Sequence, residues 1–319
     1  MSETITKQIN LDITPILINK YPTKEILSEI IRSYLHQKKI NIASIKNNLL
    51  NDLLDSSNVE IRNFVEETNS YYSLKKIEEI LYASLSVQSK KENGIVYTPS
   101  LISDFIVGET LINVNEESYI CDFSCGCGEF LLSTLKYVNQ VMPSVSLIDF
   151  VEKNLFGIDI LPDHVYWSKI IISLFLIEND EDKNNIHFNI IEGDSTAKDI
   201  INKFNSLHLK KNGFDFIIGN PPYVKIQDLS SNHKKYLKEN YISCRSGSYN
   251  LFYAFIELSI KVLSKTGKIG YIIPNHLLKM KSAYGLRSFL VDSRSIYKII
   301  DFKDNQLFSN AQTYSAILF

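Results

Sequence analysis

Nothing in this chain of 319 residues comes near the uninterrupted apolar length of a membrane span, and Met1-Ser2-Glu3-Thr4-Ile5 has neither the basic region nor the apolar stretch of a secretion signal. Both absences predict a cytoplasmic protein with no membrane partner. Cysteine is scarce: three of the four, Cys121, Cys125 and Cys127, crowd one loop and Cys244 stands alone, a poor arrangement for a disulfide framework. No second His/Cys pair with zinc spacing accompanies them, so no metal is expected. A basic excess is lacking as well, since 34 Lys and Arg face 36 Asp and Glu for a net charge of −2. Domains that wrap nucleic acid unaided carry strong positive charge, so such a role here needs local patches or a partner.

What is present is ordinary globular material, 45% hydrophobic and 22% charged, in a length that suits one sizeable domain and a smaller one. The first part reads as helical. Ile26, Leu27, Ile30, Ile31 and Leu35 mark one apolar face, Ile42, Ile45, Leu49, Leu53 and Leu54 a second, and Leu74, Ile77, Ile80, Leu81 and Leu85 a third. No polar constellation converges there, so residues 1–92 are expected to form a helical packing or docking domain. The polar stretch Gln88 to Asn93 marks the boundary with a second domain over 93–319.

That second domain opens with Tyr97-Thr98-Pro99, in which Thr98 reads as a helix N-cap and Pro99 as a first-turn residue, followed by the apolar stripe Leu101, Ile102, Phe105 and Ile106. A short strand, Tyr119 to Phe123, then runs into the glycine turn Ser124-Cys125-Gly126-Cys127-Gly128 and a helix, the layout of the first unit of a dinucleotide-type fold. The third glycine of that fingerprint is missing, because Leu131 occupies its place. The loop also has no lysine, which argues against a phosphate-cradling Walker loop. A second strand ends in Asp159-Ile160, with the acid placed to accept from two ribose hydroxyls, and a third ends in Gly193-Asp194-Ser195. Single acids at strand ends are often only helix caps. Three in register, Asp122, Asp159 and Asp194, point to a ligand at the carboxyl edge of a parallel sheet.

The fourth apolar run, Phe214-Asp215-Phe216-Ile217-Ile218, delivers Gly219-Asn220-Pro221-Pro222-Tyr223 to the same edge. Each proline fixes its own φ and restricts the residue before it, so the turn is stiff before any substrate arrives. The Asn220 amide, the Pro221 carbonyl and the Tyr223 ring could hold a planar amino-bearing group, with two acceptors for an NH2 and a ring to stack on it. Read alone, the same residues are also a strand-ending turn.

In this order the motifs resemble those of the gamma class of adenine-N6 DNA methyltransferases. The resemblance covers about residues 94 to 319 and extends to Tyr249-Asn250-Leu251-Phe252-Tyr253-Ala254-Phe255, to Gly267 through Pro274, and to Leu307 through Ala316. It implies an α/β Rossmann-like sheet of seven strands, starting near residues 118, 154, 186, 214, 267, 296 and 314, mostly parallel with the last inserted antiparallel between the fifth and sixth. It implies S-adenosylmethionine as cofactor, held by Tyr97, Thr98, Pro99, Asp122, Ser124, Gly126, Gly128, Asp159, Ile160, Asp194, Ser195, Asn220 and Phe255. Catalysis would rest on Asn220, Pro221, Pro222 and Tyr223, with Tyr223 and Phe308 stacking on a flipped-out adenine. Phe123, Ser124 and Cys127 depart from the family's glycine loop, but its glycines and acid remain.

No stretch of the chain reads as a target-recognition domain. Double-stranded DNA is therefore the expected partner, with sequence choice supplied by a further region or a specificity subunit. Two rivals remain at this stage. A glutamine-N5 protein methyltransferase also joins a helical domain to Asn-Pro-Pro-Tyr, although the Thr98-Pro99 segment and Phe308 favour the DNA enzyme. An inactive cofactor-binding scaffold is the other, and the intact Asn220 to Tyr223 motif speaks against it.

Overall fold

A computed structural model describes residues 17–68, 70–85, 94–197, 200, 213–245, 247–308 and 314–319. It divides into two compact units, Met1–Leu85 and Ser86–Phe319. The expected boundary, the amino-terminal pentapeptide and the loop from Ser309 to Thr313 lie outside the described residues.

The first unit is helical, built from α1 (Thr23–Gln37), α2 (Asn48–Leu54), α3 (Val59–Glu67) and α4 (Leu74–Ser84). Asn47, Asn58 and Ser73 cap the last three through side-chain oxygens that accept from backbone N–H groups. Ile26, Leu27, Ile30, Ile31 and Leu35 bury α1 as its periodicity predicts. The second expected face is redistributed: Ile42 falls in a 3-10 turn, Leu49 is half-buried and Leu50 takes its place in the core. Glu29, fully buried, accepts from Asn58 N at 2.8 Å and from Arg62 Nε at 2.9 Å, which ties α1 to α3.

The second unit is a sheet of β1 (Ile120–Asp122), β2 (Leu155–Asp159), β3 (Asn189–Glu192), β4 (Phe214–Gly219), β5 (Leu263–Pro274), β6 (Ile299–Asp301) and β7 (Ser315–Leu318). Their order is β3-β2-β1-β4-β5-β7-β6, parallel throughout except that β7 runs antiparallel between β5 and β6. Seven helices belong to this unit among the described residues: α5 (Ser100–Thr110), α6 (Glu129–Val141), α7 (Leu147–Lys153), α8 (Pro162–Glu178), α9 (Ser231–Asn240), α10 (Phe252–Val262) and α11 (Tyr284–Asp292). Phe216, Ile217 and Ile218 are all buried, which explains why β4 reads as an unbroken apolar run. Strand order reverses between β1 and β4. Their carboxyl ends therefore open the crevice in which open α/β sheets bind ligands.

Two local readings are corrected. The N-cap of α5 is Pro99, without a side-chain cap, and Thr98 is engaged elsewhere. The buried side of α5 is Ser103, Ile106, Val107 and Thr110, whereas Leu101 and Phe105 of the expected stripe are 81% and 43% exposed.

Candidate active site

At the end of β1 the Asp122 carboxylate is buried. Its Oδ1 accepts from Ser124 N at 2.8 Å, and its Oδ2 has no hydrogen-bond partner among the described residues. Burial pushes this carboxyl up to about 8, a rise that the Ser124 hydrogen bond only partly offsets and that nearby Asp159 adds to. The neighbouring strand comes very close. Gly219 ends β4 at φ +144, and a Cβ there would stand 2.5 Å from Asp122 Oδ1, so the position accepts only glycine without displacement.

The glycine turn after β1 is fastened to β2. Cys125 N donates to Ile158 O at 2.9 Å, and Gly126 N donates to Asp159 Oδ2 at 2.9 Å. Gly126 and Gly128 take φ of +52 and +101, the conformation that lets the turn deliver α6 onto the sheet. Asp159 Oδ1 accepts from Leu161 N at 3.0 Å, and the buried His164 has Nδ1 3.1 Å from the same oxygen. Next to it Ile160 is 54% exposed, an apolar surface at the mouth of the crevice.

Asp194 spends one oxygen on its own turn, since Oδ1 accepts from Thr196 N at 2.8 Å and from Thr196 Oγ1 at 2.7 Å. Oδ2 is left facing His233 Nε2 at 3.6 Å. Ser195 is buried and donates to Phe123 O at 2.5 Å, which ties the third strand-end turn to the first. Phe255, 5% exposed, sits in the α10 core.

The end of β4 meets the Thr98 segment across 122 residues of chain. Asn220 Nδ2 donates to Thr98 Oγ1 at 3.0 Å and to Val96 O at 3.3 Å. Because a backbone carbonyl can only accept, the Val96 contact fixes which end of the amide is nitrogen. Asn220 Oδ1 is thereby directed away, buried, and without a partner among the described residues. Ser124 Oγ donates to Asn220 O at 3.2 Å, and Tyr223 N donates to Gly94 O at 3.4 Å. Tyr97 is half-buried beside Thr98, Pro221 is buried, and Pro222 is half-buried.

Tyr223 is half-buried, its hydroxyl donates to Ile272 O at 3.2 Å, and its ring meets Phe252 edge-on at 6.1 Å. Burial pushes its phenol up, so it stays protonated. Phe308 is 2% exposed. The structure thus gathers Thr98, Asp122, Ser124, Gly126, Asp159, Asp194 and Asn220 on one sheet edge. Val96, His164 and His233 join the site without any sequence signal. Each is recruited by a contact that only the folded chain creates.

Comparison with known proteins gives a consistent picture. The profile of a family described as Eco57I restriction-modification methylase matches residues 153–308. The type II restriction enzyme and methyltransferase RM.Eco57I of Escherichia coli is 24% identical over 93% of this chain and 37% of its own length. The type II methyltransferase M.HincII of Haemophilus influenzae is 30% identical over 73% of this chain and 38% of its own. The chain thus spans well under half the length of these curated relatives. A Listeria monocytogenes structure described as a class I S-adenosylmethionine-dependent methyltransferase shares the fold, with a TM-score of 0.53 at 13% identity over 96% of this chain and 87% of that one.

Proposed function

We propose, from the premise that this chain belongs to the Eco57I restriction-modification methylase family, that it moves the methyl group of S-adenosylmethionine to N6 of an adenine turned out of double-stranded DNA. The cofactor supplies a methyl group on a cationic sulfur, which makes a strong general base unnecessary.

The residues at the crevice fit that cofactor. Asp122 Oδ2, buried and unpartnered among the described residues, suits a cationic amino group. Ser124 and the Gly126 to Gly128 turn would line the same end. Asp159 is held by Gly126 N and Leu161 N with lone pairs left for ribose hydroxyls. Exposed Ile160 offers a purine its apolar face, and Asp194 Oδ2 offers an acceptor for the purine amine. Ser195 and Phe255 would support that pocket from beneath, and Tyr97, Thr98 and Pro99 would close the opposite end.

One observation carries the target assignment: Asn220 is clamped through its nitrogen and presents a buried, unused oxygen. With the Pro221 carbonyl, that oxygen would accept both hydrogens of an exocyclic amine. A neutral aromatic amine is a poor nucleophile because its lone pair is delocalised into the ring. Accepting both hydrogens favours a more tetrahedral nitrogen with the lone pair free. Pro222 keeps the turn rigid and Tyr223 stacks on the base, whose removal from the duplex costs a few kcal/mol. By the resemblance, Phe308 would add a second ring.

Choice of DNA sequence is assigned to a further region or a specificity subunit, and the biological setting to restriction-modification. The test is transfer of tritiated methyl from S-adenosylmethionine to unmethylated genomic DNA, with RNA and a release-factor-like protein as competing acceptors. Asn220→Ala should abolish transfer while calorimetry still detects the cofactor. Label that survives this change, or that enters the protein acceptor, would overturn the proposal.

A further inference from the structure

A second element rises at the edge where Tyr223 lies. After β5 the chain passes through two 3-10 turns, Asn275–Leu278 and Lys281–Ala283, before entering α11. The turn is rigidly made. Met280 N donates to His276 O at 2.9 Å and Ala283 N to Met280 O at 3.1 Å. From α11, Arg287 Nη1 donates to both Leu277 O and Met280 O at 2.7 Å. Leu277 and Ala283 are buried beneath, whereas Lys279, Met280 and Lys281 are exposed, Met280 to 49%. A long apolar side chain is therefore exposed between two lysines in sequence, on a turn held by several backbone hydrogen bonds.

The turn stands next to the Tyr223 pocket. The His276 ring meets Phe252 at 5.9 Å, and Phe252 meets Tyr223 at 6.1 Å. His276 is held below its ordinary value by burial and then by the charge of Lys225, the second residue after Tyr223. A Cβ on Gly247 would lie 3.7 Å from Ser282, so the loop that carries Arg245 runs alongside. Asp301 lies within electrostatic reach of Lys279, and its carboxylate already accepts from Lys303 N and Asn275 Nδ2. Two of the lysines of α9 differ, because Lys234 is folded back onto Gln227 O and Lys235 faces Glu239.

In a chain of net charge −2, this local concentration of cations needs an anionic partner. We infer that the Asn275–Ala283 turn is a DNA-contacting element in which Lys279 and Lys281 neutralise the phosphates flanking the target nucleotide and Met280 lies against the sugar between them. Arg287 is the positioning residue that fixes the turn. The inference rests on the DNA reading above. Contacts of this kind set register and orientation without reading sequence, which suits a chain whose specificity comes from elsewhere.

The test is binding of a random-sequence duplex, followed by fluorescence anisotropy across a salt series, with the whole chain. Each phosphate contact adds about 0.9 to the slope of log affinity against log salt, so Lys279→Gln with Lys281→Gln should lower the slope by about 1.8. Lys265→Gln, at the opposite end of β5, should leave it unchanged. Unaltered cofactor affinity by calorimetry certifies the fold of each variant. A double variant that keeps the wild-type slope and affinity, while the wild-type chain binds and methylates DNA, overturns this inference alone. A wild-type chain that neither binds nor methylates duplex DNA refutes the DNA reading and this inference with it.

Discussion

Asp122→Asn isolates the most unusual electrostatic feature of the crevice. The substitution keeps the shape of the side chain and an acceptor for Ser124 N, and removes only the ionisation. A carboxyl whose folded value lies above its unfolded one stabilises the fold relative to its ionised form at low pH, and that contribution is lost as pH climbs through the folded value. Multiplying the rise from 3.8 to about 8 by 1.36 kcal/mol per unit gives about 6 kcal/mol lost between acid and mildly alkaline conditions. That is comparable to the whole stability of many domains. In the absence of cofactor the unfolding free energy of the wild type relative to the variant should fall with pH up to about 8, because every other titrating group is common to both proteins and cancels in the difference. A cationic amino group beside Oδ2 would favour the ionised form. Cofactor binding below about 8 should therefore release a proton and tighten with rising pH in the wild type, and do neither in the variant. Thermal unfolding across overlapping buffers, with calorimetry in buffers of different ionisation heat, reads both effects. Parallel stability profiles for the two proteins, or proton-neutral binding by the wild type, would refute the reasoning.

Other substitutions probe the neighbouring contacts. Thr98→Val removes one of the two acceptors that orient Asn220, which should cost about 1 kcal/mol, roughly fivefold in the rate of methyl transfer measured at saturating cofactor. Gly219→Ala forces a side chain into Asp122 at a strained φ, and chemical denaturation should register a loss of about 2–3 kcal/mol together with weakened cofactor binding. Tyr223→Phe keeps the ring and should retain most activity, whereas Tyr223→Ala loses base stacking worth about 1–3 kcal/mol, visible in single-turnover rates. In the helical unit, Glu29→Ala removes the acceptor of Asn58 N and of the partly exposed Arg62 guanidinium, and should lower the unfolding free energy by about 2 kcal/mol.

The architecture of the second unit was legible where chemistry and periodicity coincide. Apolar runs that end in an acid or a glycine gave β1 through β4, and the prolines after Asn220 marked the stiff turn at the switch point. Legibility failed where a residue's partner lies far away in sequence. Thr98 has the composition of an N-cap, and only the fold reveals that its hydroxyl serves Asn220 across 122 residues. Leu101 and Phe105 look like the core face of α5, yet the helix buries Ser103, Ile106, Val107 and Thr110. β5 begins at Leu263, earlier than expected, because Leu263 already pairs with Phe214, and the polar residues before Lys268, which look like a loop, form an irregularity within the ladder.

The measurement closest to the central claim is the identity of the methylated product. DNA incubated with the protein and isotopically labelled S-adenosylmethionine is digested to nucleosides and resolved by mass spectrometry. A partly buried Asn220 amide with its oxygen free predicts label in N6-methyldeoxyadenosine, and none with Asn220→Ala. Label in methylated cytosine, or in N6-methyldeoxyadenosine formed equally well by Asn220→Ala, would contradict the account.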